Sequence, residues 1–330
     1  MPRTAERTWT TDLLGEPYEQ TTLEFAPDEE GPVVATVVRR RAEFPTTRAV
    51  LYVHGYADYF FQTHLADFWI DQGYHFYAID LRKNGRSLRD HQTIAFCRNL
   101  GEYAADLDAA QRLIAEDGLD TLVINAHSTG GLIAPLWAHA RRERRGGRGL
   151  VDALILNSPF LDLPVPAAMR TVSDSAIGVI GQRRPMTIIP SLYRTPYMES
   201  ISSAHYGEWD HDQVWKPIVG VPLRAGWLRA ILAAQRRVHA GLDVPCPVLV
   251  ASSAASIVTR GWDEALFAAD AVLDVRQMNR WAAGLGRLVT VQRITGGMHD
   301  LALSKKPARD AYFEAMQRWI WAYGPKEENL

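Results

Sequence analysis

The run Thr121-Leu122-Val123-Ile124-Asn125-Ala126-His127-Ser128-Thr129-Gly130-Gly131 decides how this chain is read. Its first five residues are mostly β-favouring and uncharged, and the residues after Gly130 take up helical spacing as far as Arg142. The chain therefore passes from strand to helix through Ala126-His127-Ser128-Thr129-Gly130, a small-x-Ser-x-Gly pattern. Small residues flank such a serine because its strained backbone leaves no room for bulk. The turn lifts the hydroxyl to the top of the sheet and points a helix N-terminus at it. Ala126 stands where glycine is usual. The plain structural alternative is a serine that only caps its helix.

Outward from this turn, short apolar runs alternate with longer mixed segments. Strands are expected at Ala49–Val53, Tyr74–Ile79, Thr121–Asn125, Ala153–Leu156, Pro247–Ala251 and Arg287–Ile294. Continuous apolar runs, without in/out alternation, suit strands buried on both faces of a parallel sheet. Between them, Asn99–Asp117 places Tyr103, Leu107, Ala110, Leu113 and Ile114 on one helical face and closes at Gly118. Gly130–Arg142 and Ala308–Trp321 read likewise. Tyr18–Phe25 and Val33–Arg40 read as strands of an edge meander. The alternation is that of an α/β domain with a mostly parallel central sheet and helices on both faces. It fails between Phe160 and Gly226, a stretch of prolines and scattered Trp, Tyr, Ser and His. A lid inserted at 161–226 is therefore expected, in a core made of 1–160 and 227–330.

The chain has 330 residues, 47% hydrophobic and 22% charged, which excludes disordered and fibrous classes. Its formal net charge of −2 gives no global field to recruit nucleic acid or an anionic membrane. Two cysteines, Cys97 and Cys246, make neither a disulfide framework nor a metal spacing and fit a cytoplasmic location. Met1–Glu19 has no apolar stretch of the signal-peptide kind. The charge-free window Thr121–Ala140 is too polar and broken to span a membrane, so no stable membrane insertion is expected. Oligomeric state leaves no trace in the sequence.

Five landmarks in order give the chain a family likeness: His54-Gly55-Tyr56 after one strand, Asp80-Leu81-Arg82-Lys83-Asn84-Gly85-Arg86-Ser87 after the next, the Ser128 turn, Asn157-Ser158-Pro159-Phe160, and Gly296-Gly297-Met298-His299-Asp300. Over roughly residues 30–325 it resembles the α/β-hydrolases of the serine aminopeptidase type, the branch with monoacylglycerol lipases and lysophospholipases. The resemblance implies the α/β-hydrolase fold and a triad with Ser128 as nucleophile. The general base should come last in the chain, and of ten histidines His299 stands there, behind Gly296-Gly297. The family places an Asp soon after the strand Pro247–Ala251, yet Ser252–Arg260 holds no acid. Ala269-Asp270-Ala271-Val272-Leu273-Asp274 is similar to the family's Ala-Asp-x-x-x-Asp, so an insertion before the acid explains both facts. Asp270 is then the expected acid, with Asp274 and Asp162 as alternatives. Backbone N–H groups of Thr129 and, by the resemblance, Tyr56 would form the oxyanion hole.

Other signals have plainer readings. Arg141–Arg145 with Arg148 reads as a charged helix end. His205, Glu208, Asp210, His211 and Asp212 match no standard metal spacing. Trp209, Trp215 and Trp227 suit either an acyl pocket or lid packing. The expected activity is hydrolysis of a carboxylic ester, monoacylglycerol- or lysophospholipid-like with an apolar acyl chain, through an acyl-enzyme on Ser128, with a small-molecule substrate and no cofactor or metal. Two rivals stand beside it: a biosynthetic acyltransferase, cyclase or thioesterase using the same triad, and a non-catalytic binding module on a hydrolase fold.

Overall fold

The computed structural model describes residues 8–164, 176–189, 196–259 and 261–326. Nine strands form one sheet: β1 (Thr10–Thr11), β2 (Glu19–Asp28), β3 (Gly31–Arg40), β4 (Arg48–Val53), β5 (His75–Asp80), β6 (Thr121–His127), β7 (Ala153–Asn157), β8 (Val248–Ser253) and β9 (Val289–Ile294). The spatial order is β1-β2-β3-β5-β4-β6-β7-β8-β9. β1, β2, β3 and β5 pair antiparallel, and the run from β5 to β9 is parallel. The expected edge meander is β2 and β3. The two-residue β1 beside it was not expected, and the last strand starts at Val289, two residues after Arg287.

The apolar runs are continuous because the sheet is covered on both faces. In β4, Ala49, Leu51 and Val53 enter one core and Val50 and Tyr52 the other, as the period of two requires. The first core takes in helices α2 (Gly101–Glu116) and α3 (Gly130–Ala140) and the helices Ala225–His239 and Val275–Ala282. The second takes in α1 (Thr63–Asp71) and the C-terminal helix Lys306–Tyr323. At β4 the strand order reverses direction, since β5 and β6 flank it on opposite sides. The crevice beyond the strand ends at such a reversal is the usual ligand position. The described part of 161–226 adds no strand to this sheet, and within it Tyr197–Ile201 is helical. The boundary drawn at 226 meets the helix Ala225–His239, whose first turn already holds buried Ala225 and Gly226.

A buried ion cluster joins the N-terminal strands to the end of the sheet. Arg86 reaches Asp12 at 2.7 and 2.8 Å, Asp80 at 2.9 Å and the Phe60 carbonyl at 3.0 Å. Asp80 also accepts the N–H groups of Phe60 and Arg86. Arg86→Met leaves two buried carboxylates without their cation, and breaking such a group from one side costs about 3–5 kcal/mol. Urea denaturation is expected to show a loss of that size; a loss under about 1 kcal/mol would mean the cluster is cross-compensated elsewhere.

Candidate active site

Ser128 occupies the left-handed region at φ 52°, although it carries a side chain. Its backbone is held by the end of β7 and the loop after it: Ser128 N–H donates to the Asn157 carbonyl, and Phe160 N–H donates to the Ser128 carbonyl, both at 3.0 Å. Gly130 explains the small residue that the pattern demands. A Cβ there would lie 2.5 Å from the carbonyl oxygens of Val53 and His54. α3 opens at Gly130, so its N-terminal N–H groups face the serine.

His299 is buried on the turn after β9. Its Nδ1–H donates to Asp270 Oδ2 at 2.8 Å, which leaves Nε2 to accept from Ser128 Oγ at 3.0 Å. Asp270 is fully buried, and its other oxygen accepts the N–H groups of Val272 and Leu273 at 2.8 Å. The chain leaves β8 at Ser253, makes an excursion and returns, so that Asp270 pairs with Ser256 in a parallel bridge. The excursion thus brings the acid back beside the strand end. Asp274 instead caps the helix Val275–Ala282 through Arg276 N–H. Asp162 accepts the Trp281 indole N–H at 2.9 Å. Neither alternative carboxylate hydrogen-bonds to His299.

The loop after β4 lies against the serine: a Cβ on Gly55 would be 3.1 Å from Ser128 Cβ. His54 shapes this loop. Leu81 N–H donates to its Nε2 at 2.9 Å, so the proton is on Nδ1 and donates to the Gly55 carbonyl at 2.7 Å. Burial lowers the pKa of His54 and favours that neutral form. Among the described residues, no backbone carbonyl outside the helices and strands and no side chain takes up the N–H of Tyr56 or Thr129. Trp227 packs against Tyr56 with the rings tilted by 48° and 4.2 Å between ring centroids. Trp209 stacks on His64, and Trp215 meets the edge of Tyr59.

Three groups escaped the sequence reading. Asp300, next to His299, is buried and accepts from Asn157 Nδ2 at 2.7 Å, Ala302 N–H at 3.0 Å and Gln62 Nε2 at 3.4 Å. The Asp300 N–H donates to the Tyr197 hydroxyl at 3.1 Å. Asp58, on the loop after Tyr56, forms a buried ion pair with Lys216 at 2.5 Å. Burial pushes the Asp58 carboxyl up, and the Lys216 ammonium with the nearby imidazoles outweighs it, holding the group below the usual carboxylate value. His127 has its ring centroid 4.9 Å from that of His299. His127 and Asp300 offered a local signal, their places beside Ser128 and His299; the pairings themselves mostly join residues far apart in the chain.

Part of the basic run is paired with nearby acids, Arg141 with Asp108 and Arg145 with Asp152. Among the described residues no cluster of three or more His, Cys, Asp or Glu could hold a metal ion, and no helix is long and apolar enough to cross a membrane.

Comparison with known proteins identifies the family. The family model of serine aminopeptidase S33 matches residues 45–303. The chain belongs to the serine aminopeptidase S33 family. It has the α/β-hydrolase fold common to that family. No curated protein sequence matches it. Solved structures similar to it include a monoacylglycerol lipase from Paleococcus ferrophilus, 16% identical, with TM-score 0.61 over 92% of this chain and 98% of that one. A soluble variant of monoglyceride lipase from Saccharomyces cerevisiae, with a substrate analogue bound, is 13% identical with TM-score 0.63 over 92% and 96%. A thermostable carboxyl esterase from Bacillus coagulans is 14% identical with TM-score 0.66 over 93% and 99%. At these identities the likeness is one of fold.

The buried histidine gives a pH dependence. Burial outweighs the attraction of Asp300 and lowers His127 to about 4. An unfolded histidine titrates near pH ~6.5, so between there and about 4 the unfolded chain binds a proton that folded His127 refuses. Its contribution is complete above about pH 6.5 and lost as pH falls towards 4, on the order of 3 kcal/mol. His54 and His64 shift the same way, so the comparison is variant against wild type. In urea denaturation at a series of pH values, His127→Gln is expected to flatten the acid-side fall in stability. An unchanged slope refutes the assignment.

Proposed function

We propose that the chain is a serine hydrolase that cleaves a carboxylic ester of modest size, monoacylglycerol- or lysophospholipid-like, with an apolar acyl chain. The observation that carries this reading is the unbroken chain of hydrogen bonds Asp270–His299–Ser128 on a strand-to-helix turn. Ser128 Oγ attacks the ester carbonyl carbon while His299 Nε2 takes the hydroxyl proton. Asp270 holds the ring in the tautomer with Nδ1 protonated and stabilises the imidazolium. The N–H groups of Tyr56 and Thr129 receive the developing oxyanion, where one donor is typically worth ~2.7–4 kcal/mol of barrier. Collapse breaks the bond to the leaving alkoxide, which takes the proton from His299. Water, deprotonated by the same His299, then attacks the acyl-enzyme and releases the carboxylic acid and the serine.

The substrate class rests on the relatives whose fold this chain shares, a monoacylglycerol lipase and a monoglyceride lipase. The aromatic pair of Trp227 with Tyr56, the latter next in the chain to the Gly55 that lies against the serine, favours an apolar chain. We assign 161–226 as a lid over the strand ends. Part of it, 165–175 and 190–195, lies outside the described residues. Its described part touches the site through Tyr197, whose ring meets His299 edge-on at 5.6 Å.

A fluorophosphonate probe followed by intact mass tests the serine, and a monoacylglycerol series tests the substrate. Stoichiometric labelling of wild type, absent in Ser128→Ala, is the expected result. Asp270→Asn is expected to lower kcat by roughly 10³–10⁴-fold. A folded wild type that takes no label would sink the reading in favour of a binding module. Labelling without turnover of free esters would point to an acyl acceptor other than water.

A further inference from the structure

We infer that Lys216 is a positioning residue for the oxyanion loop, and that the Asp58–Lys216 pair makes the geometry of that loop depend on the closed seat of the segment 211–222. This deepens the ester-hydrolase reading and rests on it. Asp58 lies two residues after Tyr56, across Ala57, which is held at φ 47°. Its Oδ1 accepts the N–H of Tyr59 at 2.9 Å and meets Lys216 Nζ at 2.5 Å. One carboxylate oxygen therefore both closes the loop's own turn and receives the ammonium. The two side chains are 2% and 7% exposed, so the pair exists as a buried contact only while Lys216 is seated on the loop.

The same segment grips the loop at other points. Tyr56 Oη donates to the Pro222 carbonyl at 3.3 Å, and Asp212 N–H donates to Tyr59 Oη at 2.7 Å. Trp215 packs edge-on to Tyr59 at 5.2 Å, and the Lys216 ammonium lies 5.6 Å from the Phe61 ring centre. Stability alone does not call for a charged pair here, because apolar residues of similar volume serve a buried site as well or better. What the pair adds is register. It also cancels the negative charge of Asp58 next to the N–H groups that must receive an anion.

The test compares wild type, Lys216→Met, Lys216→Arg and the double variant Asp58→Asn/Lys216→Met, with p-nitrophenyl butyrate as substrate and thermal melting as the control for folding. The double variant removes both charges and so leaves none buried alone, which spares its fold the cost that a single removal carries. It is expected to melt close to wild type and to lose about tenfold or more in kcat with KM changed less than about twofold, the signature of an interaction made in the transition state. Lys216→Arg is expected to recover most of the kcat that Lys216→Met loses. A double variant with wild-type kcat overturns the inference, as does a rise in KM alone, which would make the pair a clasp on substrate entry. Should the double variant fail to fold, Asp58→Asn decides, since its amide oxygen can still accept the Tyr59 N–H and keep the loop's turn while the charge pair is lost: a wild-type kcat there overturns the inference. An active wild type with an unaffected double variant overturns this inference only; a wild type inert to the ester and to the fluorophosphonate overturns the hydrolase reading as well.

Discussion

The left-handed backbone of Ser128 is the constraint around which the rest is arranged. An L-residue in that region costs roughly 1–3 kcal/mol and persists only where its surroundings over-determine it. Here they do so from three sides. The end of β7 and the loop after it fix Ser128 by two backbone hydrogen bonds, each worth about 1 kcal/mol net, enough to offset most of the strain. β4 comes so close that only glycine fits at position 130. The loop after β4 closes over Gly55, where Ser128 Cβ and the His127 ring would press on any added Cβ. A parallel sheet whose neighbouring strands all end at this point is what makes three such supports available together.

A second consequence is that many polar groups must be buried near the serine, and each has to be satisfied. The carboxylate of Asp300 accepts three donors from three separate elements, so the turn that carries His299 cannot shift without breaking contacts to β7 and to the start of α1. Asp80 plays the same part for the chain after β5, collecting the Phe60 and Arg86 N–H groups and the Arg86 guanidinium. In both cases a low-dielectric site strengthens the hydrogen bonds that are made and penalises any left unmade. The polar network therefore orders the loops more than it adds stability, and ordered loops are what a preorganised site requires.

How much of this the sequence disclosed follows the range of the interactions. The central strands were legible because burial on both faces writes continuous apolar runs, as in Ala49–Val53 and Ala153–Leu156. Ser128 and His299 were legible because a tight turn restricts its neighbours locally, through Gly130 for one and Gly296 for the other. Asp270 was reached only by matching Ala-Asp-x-x-x-Asp across an excursion, and Asp274 and Asp162 could not be set aside without seeing what each carboxylate binds. The helix Ala225–His239 was within reach, since Leu228, Ile231, Leu232, Gln235 and Val238 share one buried face, but the lid assigned up to 226 hid its start. Lys216 and Asp58 were out of reach: they stand 158 positions apart, and neither neighbourhood marks its residue as buried.

The segment after β7 and the excursion after β8 meet one another. Trp262 of the excursion stacks on Tyr206 of the segment at 3.8 Å, and Phe267 packs with the cluster of Tyr197, Ile201, Met298 and Leu303. The segment is thus braced on the His299 side by apolar and aromatic contacts and on the side of the Tyr56 loop by the Asp58–Lys216 pair. Those two attachments differ in kind. Aromatic stacking tolerates small sliding, whereas a buried ion pair leaves a charge unpaired when its partners separate. The contacts around Tyr56 and Asp58 therefore depend on where the segment 211–222 sits, whereas those around His299 depend on apolar packing that is less exacting about position.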